Sequence, residues 1–189
     1  MNLANKITIA RIILAPLFMI FLLMRLPYGE FVALGLFVIA SATDALDGYI
    51  ARSRKQVTNF GKFLDPLADK MLVLAALIAL VGMDKLHPFI AFVIIGREFA
   101  VTGLRVIAAG ENIVISASKL GKLKTITQIV AISALMFQAG LESAWSMASE
   151  ELVSMALLVN ISLVLAVVIT IVSGVDYFYK NKDVIKLGK

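Results

Sequence analysis

Six apolar runs without an Asp, Glu, Lys or Arg, at 12–24, 31–43, 71–83, 86–96, 125–141 and 152–175, decide most of what this chain can become. They carry the mean hydropathy to +0.94 and the hydrophobic fraction to 60%, beyond the range of a soluble domain, so the solvent they suit is a bilayer. Six transmembrane helices is the economical reading. The chain then reads as an all-α integral membrane protein of one domain, 1–189, with no internal repeat. The N-terminal stretch MNLANKITIARIILAPLFMIFLLM is long and uninterrupted and reads as a retained first span.

A spanning helix needs about 20 residues, and the second and third runs hold only 13 each. Pro27, Gly29 and Glu30 close off the second run on its N-terminal side, so it extends forward through SATDALDGYIA. Asp84, Lys85 and Pro88 close off the third on its C-terminal side, so it extends backward through FGKFLDPLADK. These extensions carry Asp44 and Asp47 into one helix, and Asp65 and Asp69 into the next. The short basic connection RSRKQVTN predicts an antiparallel hairpin with all four carboxylates near one end. Asp44 and Asp47 share a face at i,i+3, as do Asp65 and Asp69 at i,i+4, with Cβ atoms about 5–6 Å apart.

The N-terminus, the 52–62 loop, the 111–124 loop and the tail after Tyr179 hold 13 of the 18 Lys and Arg residues, whereas the opposite connections hold Arg25 and Lys85. The positive-inside rule therefore puts both termini and the acidic cluster on the cytoplasmic side of a multi-pass cell-membrane protein. Basic residues flanking apolar segments match anionic lipid headgroups, and nucleic acid is not an expected partner. The chain has no cysteine, which removes disulfides, thiolate nucleophiles and thiolate metal sites together.

Four carboxylates gathered in a low-dielectric site repel one another and take up protons unless a cation neutralises them. Oxygen-only ligation suits two divalent ions, Mg2+ or Mn2+, the usual clamp for displacement at phosphorus. Gly48 and Gly61 leave gaps on their helix faces where a flat group such as a nucleobase can approach the backbone.

Residues 44–69 read D-x2-D-G-x2-A-R-x8-G-x3-D-x3-D. This pattern resembles the signature of the CDP-alcohol phosphatidyltransferases, integral membrane enzymes that move a phosphatidyl or similar group from a CDP-linked donor to an alcohol and release CMP. Every fixed position matches. The resemblance implies that Asp44, Asp47, Asp65 and Asp69 ligate the metals, and that Asp69 also acts as the base for the acceptor hydroxyl. It implies that Asp44, Gly48, Ala51, Arg52 and Gly61 shape the CDP pocket, with Asn5 and Thr8 holding the nucleotide end of the donor. The stretches NKITIARI at 5–12, PLADK at 66–70, GREFAVTGLR at 96–105 and KLGKLKT at 119–125 extend the similarity toward the bacterial phosphatidylglycerophosphate-forming branch. For that branch the donor is CDP-diacylglycerol and the acceptor glycerol 3-phosphate; the resemblance also implies a homodimer in the lipid bilayer.

The acceptor phosphate needs cations, and the fourth helix supplies them without help from the resemblance. Arg97 and Arg105 are eight residues apart, about 80° around a helix, so both can serve one side of it. A guanidinium fork binds two phosphate oxygens at once. Lys119, Lys122 and Lys124 can close the same pocket, although positive-inside anchoring accounts for lysines there too. Arg97 can instead pair with Glu98 or an aspartate, and Arg105 can snorkel. Tyr177, Phe178 and Tyr179 read as an interfacial aromatic belt, Asp176 as an interface charge and His87 as a loop residue. Other acceptors (inositol phosphate, phosphatidylglycerol, serine) keep the same fold and donor. A divalent-cation transporter is the reading from another class; acids clustered at one end without an inverted repeat argue against it.

Overall fold

The computed structural model describes the backbone of residues 3–24, 26–54, 59–111, 113, 115–116, 118–145 and 150–182, and the side chains of 9–24, 26–43, 70–111, 113, 115–116, 118–144 and 154–182. Within these residues the chain is wholly helical: α1 Leu3–Leu23, α2 Gly29–Arg54, α3 Asn59–Gly82, α4 Pro88–Gly110, α5 Lys119–Trp145 and α6 Glu150–Lys180. Each apolar run became one helix. α2 continues past its apolar run to Arg54, and α3 begins at Asn59, well before its own run. Both aspartate pairs therefore fall within helices.

The boundaries have local causes. His87 is the N-cap of α4: its Nδ1 accepts from the Phe89 amide at 3.2 Å, and Pro88 fills the first turn, where its missing N–H costs nothing. Asp84, at φ 57, ends the previous helix in the left-handed region that Asp tolerates, and the Lys85 and Leu86 amides turn back to the Leu80 carbonyl.

Among the described residues α1 packs against both α2 and α3, while α2 and α3 touch each other only slightly. Along these residues α1 lies between the two arms of the expected hairpin. A four-residue gap between Arg54 and Asn59 keeps two helix ends near each other, yet it does not oblige their bodies to pack. Small residues allow α1 to wedge in, because Ala15, Ala33, Ala40, Ala75, Ala76 and Ala79 are all buried around Phe18, Phe37 and Leu22. The Phe18 and Phe37 rings lie 5.9 Å apart. α5 joins this core through α2, where a Cβ on Gly140 would meet the Phe31 ring at 2.9 Å, so only glycine allows that approach.

α6 is held by α5 and α4 along one stripe, Val159, Leu163, Ala166, Thr170, Ser173 and Tyr177, all buried at alternating spacings of three and four. The rest of α6 exposes large apolar side chains, including Leu158 at 68% and Val175 at 65%. Such a surface is suited to lipid, not water. Among the described residues two helical segments, Lys119–Ala144 and Ser154–Lys180, are long and apolar enough to cross a membrane.

Candidate active site

The α6 stripe changes character partway along. Up to Ala166 it is apolar, and its last three members, Thr170, Ser173 and Tyr177, each meet a polar side chain from a neighbouring helix. Gln128 of α5 donates to Thr170 Oγ1 at 2.9 Å. Arg97 Nη2 donates to Ser173 Oγ at 2.8 Å, and Arg105 Nε to the Tyr177 hydroxyl at 2.8 Å. Gly174 completes the arrangement: a Cβ there would stand 3.1 Å from Arg97 Cγ, tighter than ordinary packing. The end of α6 is shaped to receive two arginines.

Tyr177 therefore does not belong to an aromatic belt. It is 2% exposed, and the Arg105 guanidinium carbon lies 5.4 Å from its ring centroid, within cation–π range. Tyr179, two residues on, is exposed and fits the belt reading, and Asp176 pairs with Lys180 at 2.8 Å.

Arg97 and Arg105 open onto a cleft of about 230 Å³ between α4, the start of α5 and α3. Lys122 and Lys124 of α5 line it too, as does Lys70 of α3. Four of the five acceptor-site cations expected from sequence thus share one cavity. Lys119 lines a neighbouring cavity of about 470 Å³ with Ser116, Asp176 and Lys180. Glu98 is the acid among the described lining residues; its Oε1 is bonded to Lys124 Nζ and lies 3.3 Å from Arg97 Nη1. The Arg97–Glu98 ion pair anticipated as an alternative is present, and Arg97 reaches the cleft as well.

Sequence reasoning missed Lys70 and Glu98 as cleft residues, and Ser173 and Tyr177 as the supports of its two arginines. The signal for the last two was available, since 170, 173 and 177 continue the spacing set by Val159, Leu163 and Ala166.

Lys70 fixes where the cleft begins, because it directly follows Asp69 of the aspartate motif. The side chains of Asn5, Thr8, Asp44, Asp47, Gly48, Ala51, Arg52, Gly61, Asp65 and Asp69 lie outside the described residues; the backbone puts Asn5 and Thr8 in α1, 44–52 in α2 and 61–69 in α3. Among the described residues no group of three His, Cys, Asp or Glu could hold a metal ion.

Against this geometry, comparison with known proteins is decisive. The family model for CDP-alcohol phosphatidyltransferase matches residues 1–172. The chain belongs to the CDP-alcohol phosphatidyltransferase family. A Bacillus subtilis (strain 168) relative, CDP-diacylglycerol–glycerol-3-phosphate 3-phosphatidyltransferase, is 48% identical over 98% of this chain and 97% of its own. A Rickettsia bellii protein of the same name is 37% identical, covering 94% of this chain and 93% of its own. A Mycobacterium tuberculosis (strain CDC 1551 / Oshkosh) relative, a probable phosphatidylglycerophosphate synthase, is 37% identical over 93% of this chain and 79% of its own. The aspartate motif on α2 and α3 and the residues lining the basic cleft all fall within the stretch that the family model matches.

Proposed function

We propose that this protein transfers the phosphatidyl group of CDP-diacylglycerol to glycerol 3-phosphate, forming phosphatidylglycerophosphate and CMP. The observation that carries the reading is the convergence of Lys70, Arg97, Arg105, Lys122 and Lys124 on one cleft that begins a single residue from Asp69. A phosphate-bearing acceptor held there lies beside the motif. The names of the relatives point to the same donor and acceptor.

Asp44, Asp47, Asp65 and Asp69 form an all-oxygen, anionic donor set that fits two divalent ions, Mg2+ or Mn2+. Such ions would offset the diphosphate charge and favour departure of CMP. Asp69 takes the proton of the acceptor hydroxyl as its oxygen bonds to the phosphatidyl phosphorus; the bond from that phosphorus to CMP breaks, and CMP leaves with the electron pair. Arg97, Arg105, Lys122 and Lys124 bind the phosphate that does not react, and so hold the hydroxyl in line. Planar forks suit this task, because two parallel N–H bonds fix orientation as well as position. Lys119 serves from the adjoining cavity as a second rank of positive charge. Asn5, Thr8, Gly48, Ala51, Arg52 and Gly61 form the nucleotide pocket.

The same reading makes all six helices transmembrane in one domain, with the termini and site on the cytoplasmic face of the cell membrane and a homodimer as the assembled form. The basic cleft lies at the loop between α4 and α5, on the positively charged side of the chain, as that orientation requires.

The test is CMP release by the purified protein from CDP-diacylglycerol with Mg2+ or Mn2+, with and without glycerol 3-phosphate. Acceptor-dependent release is the expected result; release with serine or inositol phosphate alone would replace the acceptor assignment.

A further inference from the structure

Glu98 is a carboxylate in a cleft whose other charged lining residues, Lys70, Arg97, Arg105, Lys122 and Lys124, are all cations, where it should repel the phosphate the cleft collects. Its position is built in. The Glu98 side chain is 19% exposed, Arg97 12% and Lys124 7%, so all three charges are largely withdrawn from water. Neighbouring positions on a helix point about 100° apart, yet Arg97 and Glu98 meet at 3.3 Å through one oxygen that also takes Lys124.

The other donors of Arg97 complete the picture. Nη2 is engaged by Ser173, Nη1 faces Glu98, and Nε is buried without a hydrogen-bond partner. Both terminal nitrogens of Arg97 are thus engaged by protein groups. Arg105 differs, because Tyr177 holds it through Nε and leaves the two terminal nitrogens for another partner. A phosphate entering the cleft meets Arg105 and Lys122 exposed, and competes with the Glu98 carboxylate for Arg97 and Lys124.

We propose that Glu98 is an internal stand-in for the acceptor phosphate: it holds Arg97 and Lys124 while the cleft is empty and yields them to a phosphate monoester. The inference rests on the reading of the cleft as the acceptor site. A phosphate monoester carries close to two charges and three terminal oxygens, against one charge and two oxygens for the carboxylate, so it can win the exchange. An acceptor without a phosphate brings nothing to offset the lost ion pairs. Glu98 therefore selects by disfavouring the wrong acceptor, at some cost in affinity for the right one.

The test compares wild type with Glu98→Gln, Glu98→Asp and Arg105→Ala, reading KM for glycerol 3-phosphate, KM for CDP-diacylglycerol and the inhibition constant of sulfate. For Glu98→Gln the glycerol 3-phosphate KM and the sulfate constant should both fall, by about three- to tenfold, the size expected for removing a like charge from a partly solvated site. The donor KM should not move. Glu98→Asp withdraws the carboxylate by one methylene and should lower both constants by a smaller factor, which keeps the test available if Glu98→Gln does not fold. An unchanged or raised glycerol 3-phosphate KM in the Glu98 variants, while Arg105→Ala raises it, overturns the stand-in role alone. If Arg105→Ala moves neither that KM nor the sulfate constant, the cleft is not the acceptor site and both readings fall.

Discussion

Arg105 meets Tyr177 in two ways at once, donating Nε to the phenol oxygen at 2.8 Å and laying its guanidinium carbon 5.4 Å from the ring centroid. The phenol is buried at the end of α6, so an otherwise exposed arginine gains a fixed support. The contact takes up Nε of Arg105 and leaves the terminal pair for a phosphate edge. The two helices run in the same direction, so Arg97 on Ser173 and Arg105 on Tyr177 form successive rungs between α4 and α6.

Tyr177→Phe keeps the ring and removes the hydroxyl. Loss of a hydrogen bond to a charged, partly exposed group is worth about 1 kcal/mol, or roughly fivefold. We expect the glycerol 3-phosphate KM to rise by about that factor, with kcat and donor KM near wild type. Equal rises in both KM values would show that Tyr177 supports the fold and not the acceptor grip.

Gly174→Val tests the other rung. The new Cβ would lie 3.1 Å from Arg97 Cγ, and Arg97 has little room to retreat while Ser173 and Glu98 hold its far end. Valine should push the guanidinium out of register and raise the glycerol 3-phosphate KM by at least about tenfold, the scale of a lost charged contact. Gly174→Ala should be milder, because alanine's helix propensity returns up to about 1 kcal/mol in stability. Kinetics with both variants, beside thermal unfolding in detergent, separate displacement of Arg97 from loss of fold.

Much of this was legible in the sequence, for physical reasons. Charge-free runs bounded by Pro27, Gly29, Asp84 and Pro88 have one low-energy outcome in lipid, and runs too short to span must draw on their flanks, which is why Asp44 and Asp65 fall within helices. The spacing of Arg97 and Arg105 sufficed to put both on one cleft. What sequence could not supply was the identity of neighbours. A short loop suggested that α2 packs on α3, whereas alanines on all three helices let α1 separate them. Tyr177 sits among aromatics that suit an interface, and that composition masks the spacing from Val159 onward that turns it inward, where α6 packs on α4. Glu98 adjoins Arg97 in the sequence, and nothing there indicates that Lys124, 26 residues away, shares the same oxygen.

The core gives a contrasting prediction. Phe18 is fully buried against Phe37, far from any acceptor-cleft residue in sequence. Phe18→Ala should cost about 3–5 kcal/mol through the cavity it leaves. Thermal unfolding in detergent should show a clear drop in Tm, while the folded fraction keeps wild-type KM values for both substrates. A selective rise in acceptor KM would mean that α1 packing controls the cleft directly.

The last prediction concerns Asp69. If it is the base, Asp69→Asn keeps the size and helix position of the side chain and removes its ability to take a proton. Turnover should fall by at least about 10²–10⁴-fold, the usual contribution of a positioned base. The donor should still bind, because three carboxylates remain for the divalent ions. Chelation by EDTA should instead remove activity through all four acids at once and be reversed by added Mg2+ or Mn2+. Donor binding measured with and without EDTA, in wild type and Asp69→Asn, distinguishes the two losses. Near-normal turnover in Asp69→Asn would take the base role from Asp69, and activity indifferent to EDTA would remove the metals from the proposal while leaving the basic cleft as it stands.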